Sequence, residues 1–302
     1  MQTLVTHDGI FHGDEVFASA ALLAAFPGAS LDRTRNPQRA AAADIAFDVG
    51  GGAYDHHQRG GNGARPNGIP YAAFGLVWKA YGPEMVAALG GYTSVEMGWL
   101  FTVADAVDRL LVQQIDAADN GYALSGPPVI DGVRGVSVSS VIAWLNDEAR
   151  PEQAFETALG IADAVLRNVV RQAANQVDGA AAMRAALHRM RDGIAVLDQY
   201  VPDWQAQACA NPRALYVVYP SAGTWRVQGV PAVYGAPGVR KALPEAWGGL
   251  DGAALALLAG VADATFAHRG LFIAGAVSRE GALALAHLAV DAQSQPVDED
   301  ED

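Results

Sequence analysis

The first fifty residues alternate short apolar segments with a helical segment, and this order constrains the fold more than any other feature of the chain. Residues 2–6, 30–34 and 45–49 have the length and composition of strands. Residues 15–26 are typical of a helix that ends at Pro27-Gly28. Strands separated by helices form parallel sheets through right-handed crossovers. We therefore predict an α/β fold with a mainly parallel N-terminal sheet flanked by helices.

Residues that can bind metal ions follow these predicted strands. His7, His12 and Asp14 follow the first strand, Asp48 lies at the end of the third, and Asp55-His56-His57 comes shortly after it. Ligands of open α/β sheets bind beyond the carboxyl ends of the strands. Mixed imidazole and carboxylate ligands favour Mn, Zn or Fe over Mg or Ca, and several carboxylates can bridge two metals. One aspartate alone would be equally well explained as a turn former, so the combination predicts the metal site.

A later helix carries two further pairs of aspartates. Residues 93–96 resemble a capping box, and the helix that they open is predicted to reach Ala118, with Gly121 as its stop. Asp116 and Asp119 share a face near its end, where negative charge opposes the helix dipole unless a cation is near. Asp105 and Asp108 repeat this spacing about three turns earlier. The pattern leaves open which pair is functional, and an exposed helix end would also explain the second pair.

The remainder of the chain predicts a helical arm and a smaller α+β lobe. We place a metal-binding lobe at 1–150, a helical connector at 151–195, an α+β lobe at 196–295 and an acidic tail at 296–302. Residues 214–219 and 224–230 flank one hairpin turn, and residues 265–268 and 271–277 flank another. A helix is expected at 279–290.

Charge and cysteine content limit the partners and the compartment. The chain has 302 residues and a net charge of −13, from 20 basic and 33 acidic residues. Long duplex nucleic acid needs many phosphate contacts, so the acidic body argues against it. The single cysteine, Cys209, cannot form an internal disulfide, no signal peptide is visible, and no run of eighteen apolar residues appears. We expect a cytoplasmic protein without a membrane segment, as a monomer or a homodimer.

The order and spacing of the motifs resemble the DHH phosphoesterase superfamily and, within it, the Myg-one (melanocyte proliferating gene) family. The N-terminal motifs that carry the resemblance are Thr6-His7-Asp8-Gly9, Phe11-His12-Gly13-Asp14-Glu15, Phe47-Asp48-Val49-Gly50-Gly51, Tyr54-Asp55-His56-His57-Gln58-Arg59 and Asp116-Ala117-Ala118-Asp119-Asn120-Gly121. Residues 32–35, 225–228, 243–247, 266–268 and 279–283 extend it to nearly the whole chain. The resemblance implies a DHH-type lobe with a dimetal site and a second lobe that binds substrate.

The resemblance also implies roles for single residues. The metal ligands would be His7, His12, Asp14, Asp48, His56 and Asp116 or Asp119, and the phosphate would face His57 and Arg59. Candidate substrate-binding residues are Arg33 and Arg35 in the first lobe and Arg226, Gln228, Arg240 and His268 in the second. Two departures from the family pattern are His12, where an aspartate is usual, and Gly275-Ala276-Val277-Ser278, which lacks the histidines of eukaryotic relatives.

By this resemblance, the chain is expected to be a metal-dependent phosphoesterase. The expected cofactor is a pair of manganese ions, with zinc, iron or magnesium as alternatives. The expected reaction is 3′–5′ exonucleolytic cleavage of short single-stranded RNA or oligonucleotides. Hydrolysis of small nucleotides or pyrophosphate is the nearest alternative. A regulatory protein that binds nucleotide or metal in the same fold without turnover is the alternative from another class.

Overall fold

The computed structural model describes residues 1–124, 126, 130, 133 and 135–292. The predicted acidic tail at 296–302 lies outside the described residues. The chain divides into two compact units, Met1–Val177 and Asp178–Asp302. The first unit contains a parallel sheet with helices and the second a mixed sheet with helices, so the predicted α/β fold is confirmed.

The first unit begins with the predicted parallel sheet. Its elements, in chain order, are β1 (Thr3–Thr6), α1 (Gly13–Ala25), β2 (Ser30–Arg33), α2 (Pro37–Ala42), β3 (Ile45–Ala46), α3 (Ala73–Gly90), α4 (Met97–Val107), a π-helical turn (Asp108–Val112), α5 (Gln113–Asp119) and α6 (Val138–Ala143). The strand order is β2-β1-β3, and both pairings are parallel. The chain therefore leaves β1 on one side and returns on the other, which opens a crevice between the ends of β1 and β3.

Apolar residues at strand and helix spacing build the core of this unit. Leu4 of β1, Phe17 of α1, Phe74 of α3 and Ile115 of α5 are all fully buried. Helices α1 and α3 pack against each other, and the rings of Phe17 and Phe74 lie 5.8 Å apart. The core therefore anchors the starts of α1 and α3 close to the carboxyl end of the sheet.

The long acidic helix differs from its prediction at both its start and its middle. It begins at Met97 after Glu96, whose side chain makes no capping hydrogen bond, so the predicted capping box at 93–96 is wrong. Its middle turn, Asp108–Val112, is π-helical, and α5 follows without a break. A π turn contains one residue more than an α turn and rotates the aspartates after it relative to those before it. Asp105 and Asp116 therefore do not share a face.

Helix α7 (Pro151–His188) extends from the first unit into the second, over most of the predicted connector. The second unit continues with β4 (Ile194–Val196), α8 (Trp204–Ala210), β5 (Tyr216–Ser221), β6 (Thr224–Gly229), a short 3-10 helix (Glu245–Trp247), α9 (Gly252–Ala259), β7 (Ala264–Ala267), β8 (Ile273–Ala276) and α10 (Arg279–Asp291). The strand order is β4-β5-β6-β8-β7. Both predicted hairpins, β5–β6 and β7–β8, are antiparallel and are confirmed.

Alternating residues of the second sheet pack on its two faces. Ile194 and Tyr216 belong to the core that contains α10, whereas Ala195 and Val217 belong to the core that contains α8 and the end of α7. Side chains of a strand alternate between its two faces, so a strand covered on both sides is apolar along its whole length, as residues 216–219 of β5 are. No helix among the described residues is long and apolar enough to cross a membrane.

Candidate metal centre

The ends of β1 and β3 bring His7 and Asp48 together. Leu4 and Val5 of β1 pair with Ile45 and Ala46, so the residues that follow the two strands lie side by side. His7 Nε2 lies 3.2 Å from Asp48 Oδ2. Asp48 has a φ of 56°, a left-handed conformation that costs about 1 kcal/mol or more and that, among residues other than Gly, Asn and Asp adopt most readily. The fold thus maintains a strained backbone that directs this carboxylate towards His7.

The start of α1 supplies a second group of side chains. Glu15 accepts hydrogen bonds from the backbone N–H of His12 at 2.8 and 2.9 Å, and its Oε1 also lies 3.1 Å from His7 Nε2. Asp14 is fully buried, and its Oδ2 accepts a hydrogen bond from the backbone N–H of Ala73 at 3.3 Å. The first turn of α1 therefore places the buried carboxylate of Glu15 beside His7 and that of Asp14 4.0 Å from His56 Nε2.

The loop after Asp48 carries the two neighbouring histidines, and Asp55 fixes its shape. The carboxylate of Asp55 accepts hydrogen bonds from the backbone N–H groups of Gly51 and His57 at 2.7 and 3.0 Å. The ring of His56 is nearly buried, and its Nε2 lies 3.3 Å from Asp48 Oδ1. The ring of His57 is 64% exposed, and its Nδ1 lies 3.0 Å from Asp55 Oδ1. Since a carboxylate only accepts, Nδ1 of His57 carries the proton.

Asp119 joins these residues from the end of α5, and Asp116 does not. Asp119 Oδ2 lies 3.3 Å from His56 Nε2. Asp116, which unlike Asp119 is fully buried, accepts hydrogen bonds from Arg65 Nη1 at 2.7 Å and from the backbone N–H of Gly75 at 3.0 Å. Of the two aspartates that the sequence left open, only Asp119 faces the histidines.

We call the assembled set the carboxylate–imidazole cluster. Its members are His7, His12, Asp14, Glu15, Asp48, His56, His57 and Asp119. They form overlapping groups of three in which one ligand atom from each residue lies within 4.8 Å of the others. The cluster borders a cavity of about 290 Å³ that is lined in part by His12, Asp48, His57 and Asp119.

Several buried atoms of the cluster have no hydrogen-bond partner among the described residues. They are Asp14 Oδ1, Asp48 Oδ1 and His56 Nε2, of which the last two lie 3.3 Å apart but outside hydrogen-bond geometry. Buried polar atoms without partners are costly, and each needs a physical explanation. A cation bound between imidazole nitrogens and carboxylate oxygens would satisfy all three at once. The residues present therefore fit a divalent metal of the Mn, Zn or Fe type.

The electrostatics of the cluster agree with this fit. Burial would lower the pKa of His7, but Asp48 and Glu15 outweigh it and raise that pKa to about 10. Burial would raise the pKa of Asp48, but the imidazoles of His56 and His7 lower it to about 2. Burial and the charges of Asp48 and Glu15 raise the pKa of Asp14 well above its usual value. Protons on the imidazoles thus offset the carboxylates, which is what a bound cation would otherwise do.

The arginines that were predicted to bind substrate or phosphate near this site differ in their surroundings. Arg33 is buried against Phe155, with its guanidinium 4.1 Å from the ring centroid, and donates to the carbonyl of Gly9 at 2.7 Å. Arg35 is 64% exposed and lies 3.4 Å from Asp8. Arg59 is exposed and has neither an ion pair nor a side-chain hydrogen bond within the described part of the chain. Of these three arginines, Arg59 is therefore the one open to an anion, whereas Arg35 is engaged by Asp8 and by His7 Nδ1, which lies 3.1 Å from its Nη2.

The candidate substrate-binding residues of the second unit also differ in how far their side chains are engaged by other groups of the protein. Arg226 and Gln228 alternate with Trp225 and Val227 along β6, and Arg226 lies over the ring of Phe266 at 5.0 Å. Arg240 donates hydrogen bonds to the backbone carbonyls of Cys209, Asn211 and Ala214. Its guanidinium therefore stabilises this segment and is not free to bind a substrate. His268 Nδ1 accepts from the backbone N–H of Gly270 at 2.9 Å within the β7–β8 turn.

Two buried residues of the site region were missed as site residues by the sequence interpretation. The sequence pattern predicts Glu15 only as the first residue of a helix, whereas in the structure it lies three residues after the helix cap His12 and its side chain accepts from the His12 backbone. Arg65 lies in a loop rich in Gly and Asn, where arginines are mostly exposed, yet its guanidinium is 4% exposed and binds both Asp108 and Asp116. Nothing in its loop sequence distinguishes it from an exposed arginine.

Comparison with known proteins places this chain in a family. A model of the MYG1 exonuclease family, described as an uncharacterised protein family (UPF0160), matches residues 3–290. A MYG1 protein of Schizosaccharomyces pombe is 29% identical over 95% of this chain and 97% of its own length. The MYG1 exonuclease of mouse is 30% identical (97% of this chain, 86% of its own), and that of cattle is 31% identical (96% and 85%). The chain therefore belongs to the MYG1 family.

Proposed function

We propose that the chain is a metal-dependent phosphoesterase of the DHH type, acting as a 3′–5′ exonuclease on short single-stranded RNA or other oligonucleotides. One observation carries the proposal: eight imidazole and carboxylate side chains from four segments converge, and three of their buried atoms have no hydrogen-bond partner among the described residues. Relatives named MYG1 exonuclease support the choice of activity. The Asp55-His56-His57 triplet supports the DHH assignment.

We assign the metal site to His7, His12, Asp14, Asp48, His56 and Asp119, with Glu15 as an additional ligand candidate. Asp116 is left out because Arg65 and Gly75 already occupy its carboxylate oxygens. The several carboxylates can bridge two ions, and we propose a pair of manganese ions, with zinc, iron or magnesium as alternatives. Cys209 carries a free thiol, which agrees with a reducing compartment such as the cytoplasm.

Such ions would supply a water molecule of lowered pKa and positive charge towards the phosphoryl oxygens. The residues of the chain would position the phosphate and move protons. Because Asp55 holds the Nδ1 proton of His57, Nε2 of this exposed ring is unprotonated, so it can take a proton from the attacking water and then give that proton to the leaving oxygen. Arg59, which has no partner among the described residues, can bind a phosphoryl oxygen.

The charge of the chain supports a short substrate. A net charge of −13 opposes the approach of a long polyanion, and the cavity beside the cluster, about 290 Å³, lies at the lower end of the sizes usual for small-ligand sites. We therefore expect activity to fall only weakly with salt, as a few phosphate contacts predict. A steep loss between low and moderate salt would contradict a short contact surface.

Metal analysis tests the first part of the proposal. After purification with added Mn, the chain should hold at least one Mn, Zn or Fe, and Asp48→Asn should lose it. Asp163→Asn is the matched control, since Asp163 forms an exposed ion pair with Arg167 within α7. A chain without bound metal, or equal metal content in the two variants, would refute the assigned site.

A substrate panel tests the second part. Oligoribonucleotides, oligodeoxyribonucleotides, cyclic dinucleotides and pyrophosphate should be incubated with the Mn-loaded chain, and products resolved by length. We expect stepwise shortening of single-stranded RNA from its 3′ end. Release of phosphate from pyrophosphate alone would select the small-substrate alternative. No turnover of any substrate by a metal-loaded chain would select the regulatory alternative.

A further inference from the structure

A second polar cavity lies at the β4 edge of the second sheet. Its volume is about 410 Å³, and residues of the end of α7, β4 and α10 line it. Ile194 of β4 and Leu283 of α10 give it apolar walls. No member of the carboxylate–imidazole cluster contributes to it. Its volume falls in the range of small-ligand pockets, about 300–1,000 Å³.

The rim of this cavity is basic in an otherwise acidic chain. Arg189, Arg191 and Arg279 line it together with His287, and Asp198 is its one acidic residue. The cavity therefore carries a charge of about +2 with His287 neutral, whereas the chain as a whole carries −13. Three of the chain's 20 basic residues converge on one small opening. Such a local reversal of sign attracts anions.

The donors of these arginines are largely unused. Neither Arg189 nor Arg191 forms a side-chain hydrogen bond or ion pair with any residue that the structure describes. Arg279 Nη2 lies 3.8 Å from Asp198 Oδ1, and both side chains are substantially exposed. A guanidinium offers paired N–H groups that match phosphate oxygens. The rim therefore presents at least two open guanidinium groups to a ligand.

A tight turn fixes the position of Arg191. Asp192 and Gly193 both have left-handed φ values, 50° and 78°, as the two central residues of a type I′ turn require. Backbone hydrogen bonds join Arg191 and Ile194 in both directions, at 3.3 and 2.7 Å. A Cβ on Gly193 would lie 2.9 Å from Leu215, so another residue would disrupt the turn. The loop that carries two of the arginines is therefore pre-organised, which lowers the entropy lost on binding.

We propose that this cavity binds a phosphomonoester of nucleotide size. The phosphate is held by Arg191 and its neighbours on the rim, and the remainder of the ligand lies against the apolar walls. The group comes either from a free nucleotide or from the phosphorylated end of an oligonucleotide. The assignment does not depend on the metal site or on the proposed exonuclease activity.

Calorimetric titration of the full chain in the Asp48→Asn background, with chelator present, isolates this site from the cluster. Adenosine monophosphate is the first probe, and inorganic phosphate and a 5′-phosphorylated trinucleotide are the others. Adenosine monophosphate should bind with one site per chain. The double variant Arg189→Gln/Arg191→Gln should raise its Kd about ten-fold or more, which corresponds to the loss of one or more charge-assisted hydrogen bonds. Arg191→Lys keeps the positive charge but loses the paired N–H groups of the guanidinium. Its Kd for adenosine monophosphate should lie between those of the parent and the double variant.

Arg213→Gln is the matched control, because Arg213 is an exposed arginine of the same unit outside the cavity. It should leave the Kd unchanged, and all variants should keep the melting temperature of their background. Tighter binding of the trinucleotide than of adenosine monophosphate assigns the phosphate to an oligonucleotide end, and the reverse order assigns it to a free nucleotide. No binding of any probe, or equal Kd values in cavity and control variants, would overturn the proposal. Because no metal is present, failure here is distinct from failure of the exonuclease assignment.

Discussion

Replacing Arg65 by Gln should destabilise the first unit far more than a surface ion pair would suggest. Its guanidinium is 4% exposed, donates to Asp116 at 2.7 Å and binds Asp108 through two nitrogens, the closer at 2.6 Å. The ring of Tyr71 lies 4.4 Å from the guanidinium carbon. Removing one partner of a buried pair costs about 3–5 kcal/mol, because the remaining charge stays buried. Asp116 is fully buried, so we expect a loss within this range.

The stability lost in Arg65→Gln should depend on pH, and the pKa of Asp116 determines whether the loss grows or shrinks as the pH rises. Burial raises that pKa to about 7, while the charge of Arg65 opposes the rise. The folded pKa lies above the unfolded value of about 3.9. The stabilisation from protonated Asp116 is therefore complete below about pH 4 and lost as the pH rises through about 7. Without Arg65 the pKa rises further, so Arg65→Gln should cost less at pH 6 than at pH 8.5.

Urea denaturation of the wild type and the variant at both pH values measures this. The control is Arg109→Gln, since Arg109 and Asp105 form an exposed pair 3.6 Å apart on the same helix. An exposed pair of this spacing is worth about 0.3–0.5 kcal/mol. Adding Asp116→Asn to Arg65→Gln should recover part of the loss at pH 8.5. A cost that equals the control, or does not change with pH, would refute the reasoning.

Three further predictions concern the same unit. A Cβ at Gly75 would overlap Asp116 Oδ2, so Gly75→Ala should destabilise the chain by more than about 2 kcal/mol in the same urea assay. The control is Gly98→Ala in α4, where a Cβ meets no other atom, so this change should be neutral or stabilising. His57→Ala should reduce turnover about 100-fold or more while metal content stays unchanged; equal losses of metal would contradict its role in proton transfer. Asp119→Asn should abolish the rise in melting temperature caused by Mn, whereas Asp116→Asn should retain it; the reverse result would restore Asp116 as the ligand.

The sequence was sufficient for the parts of the site that depend on strand ends. His7 and Asp48 follow apolar segments whose parallel pairing could be predicted, and parallel pairing brings strand ends together. The role of Asp55 could not be predicted in the same way. Within Asp55-His56-His57 all three residues are equally good ligands by type, yet Asp55 is engaged by loop N–H groups. Tertiary hydrogen bonds decide which residue of the motif shapes the loop and which residues face the site.

The aspartates between Asp105 and Asp119 show a different limit of sequence-based prediction. Helical periodicity assumes a uniform α-helix, and this helix contains a π turn. At about 100° per residue, Asp105 and Asp116 would lie about 20° apart, whereas Asp108 and Asp116 would lie about 80° apart. The π turn at Asp108–Val112 adds one residue and exchanges these angles, to about 80° and 20°. Asp108 and Asp116 therefore both reach Arg65, while Asp105 is 80% exposed. Since Arg65 occupies Asp116, the next carboxylate at the helix end, Asp119, is the one left to face His56.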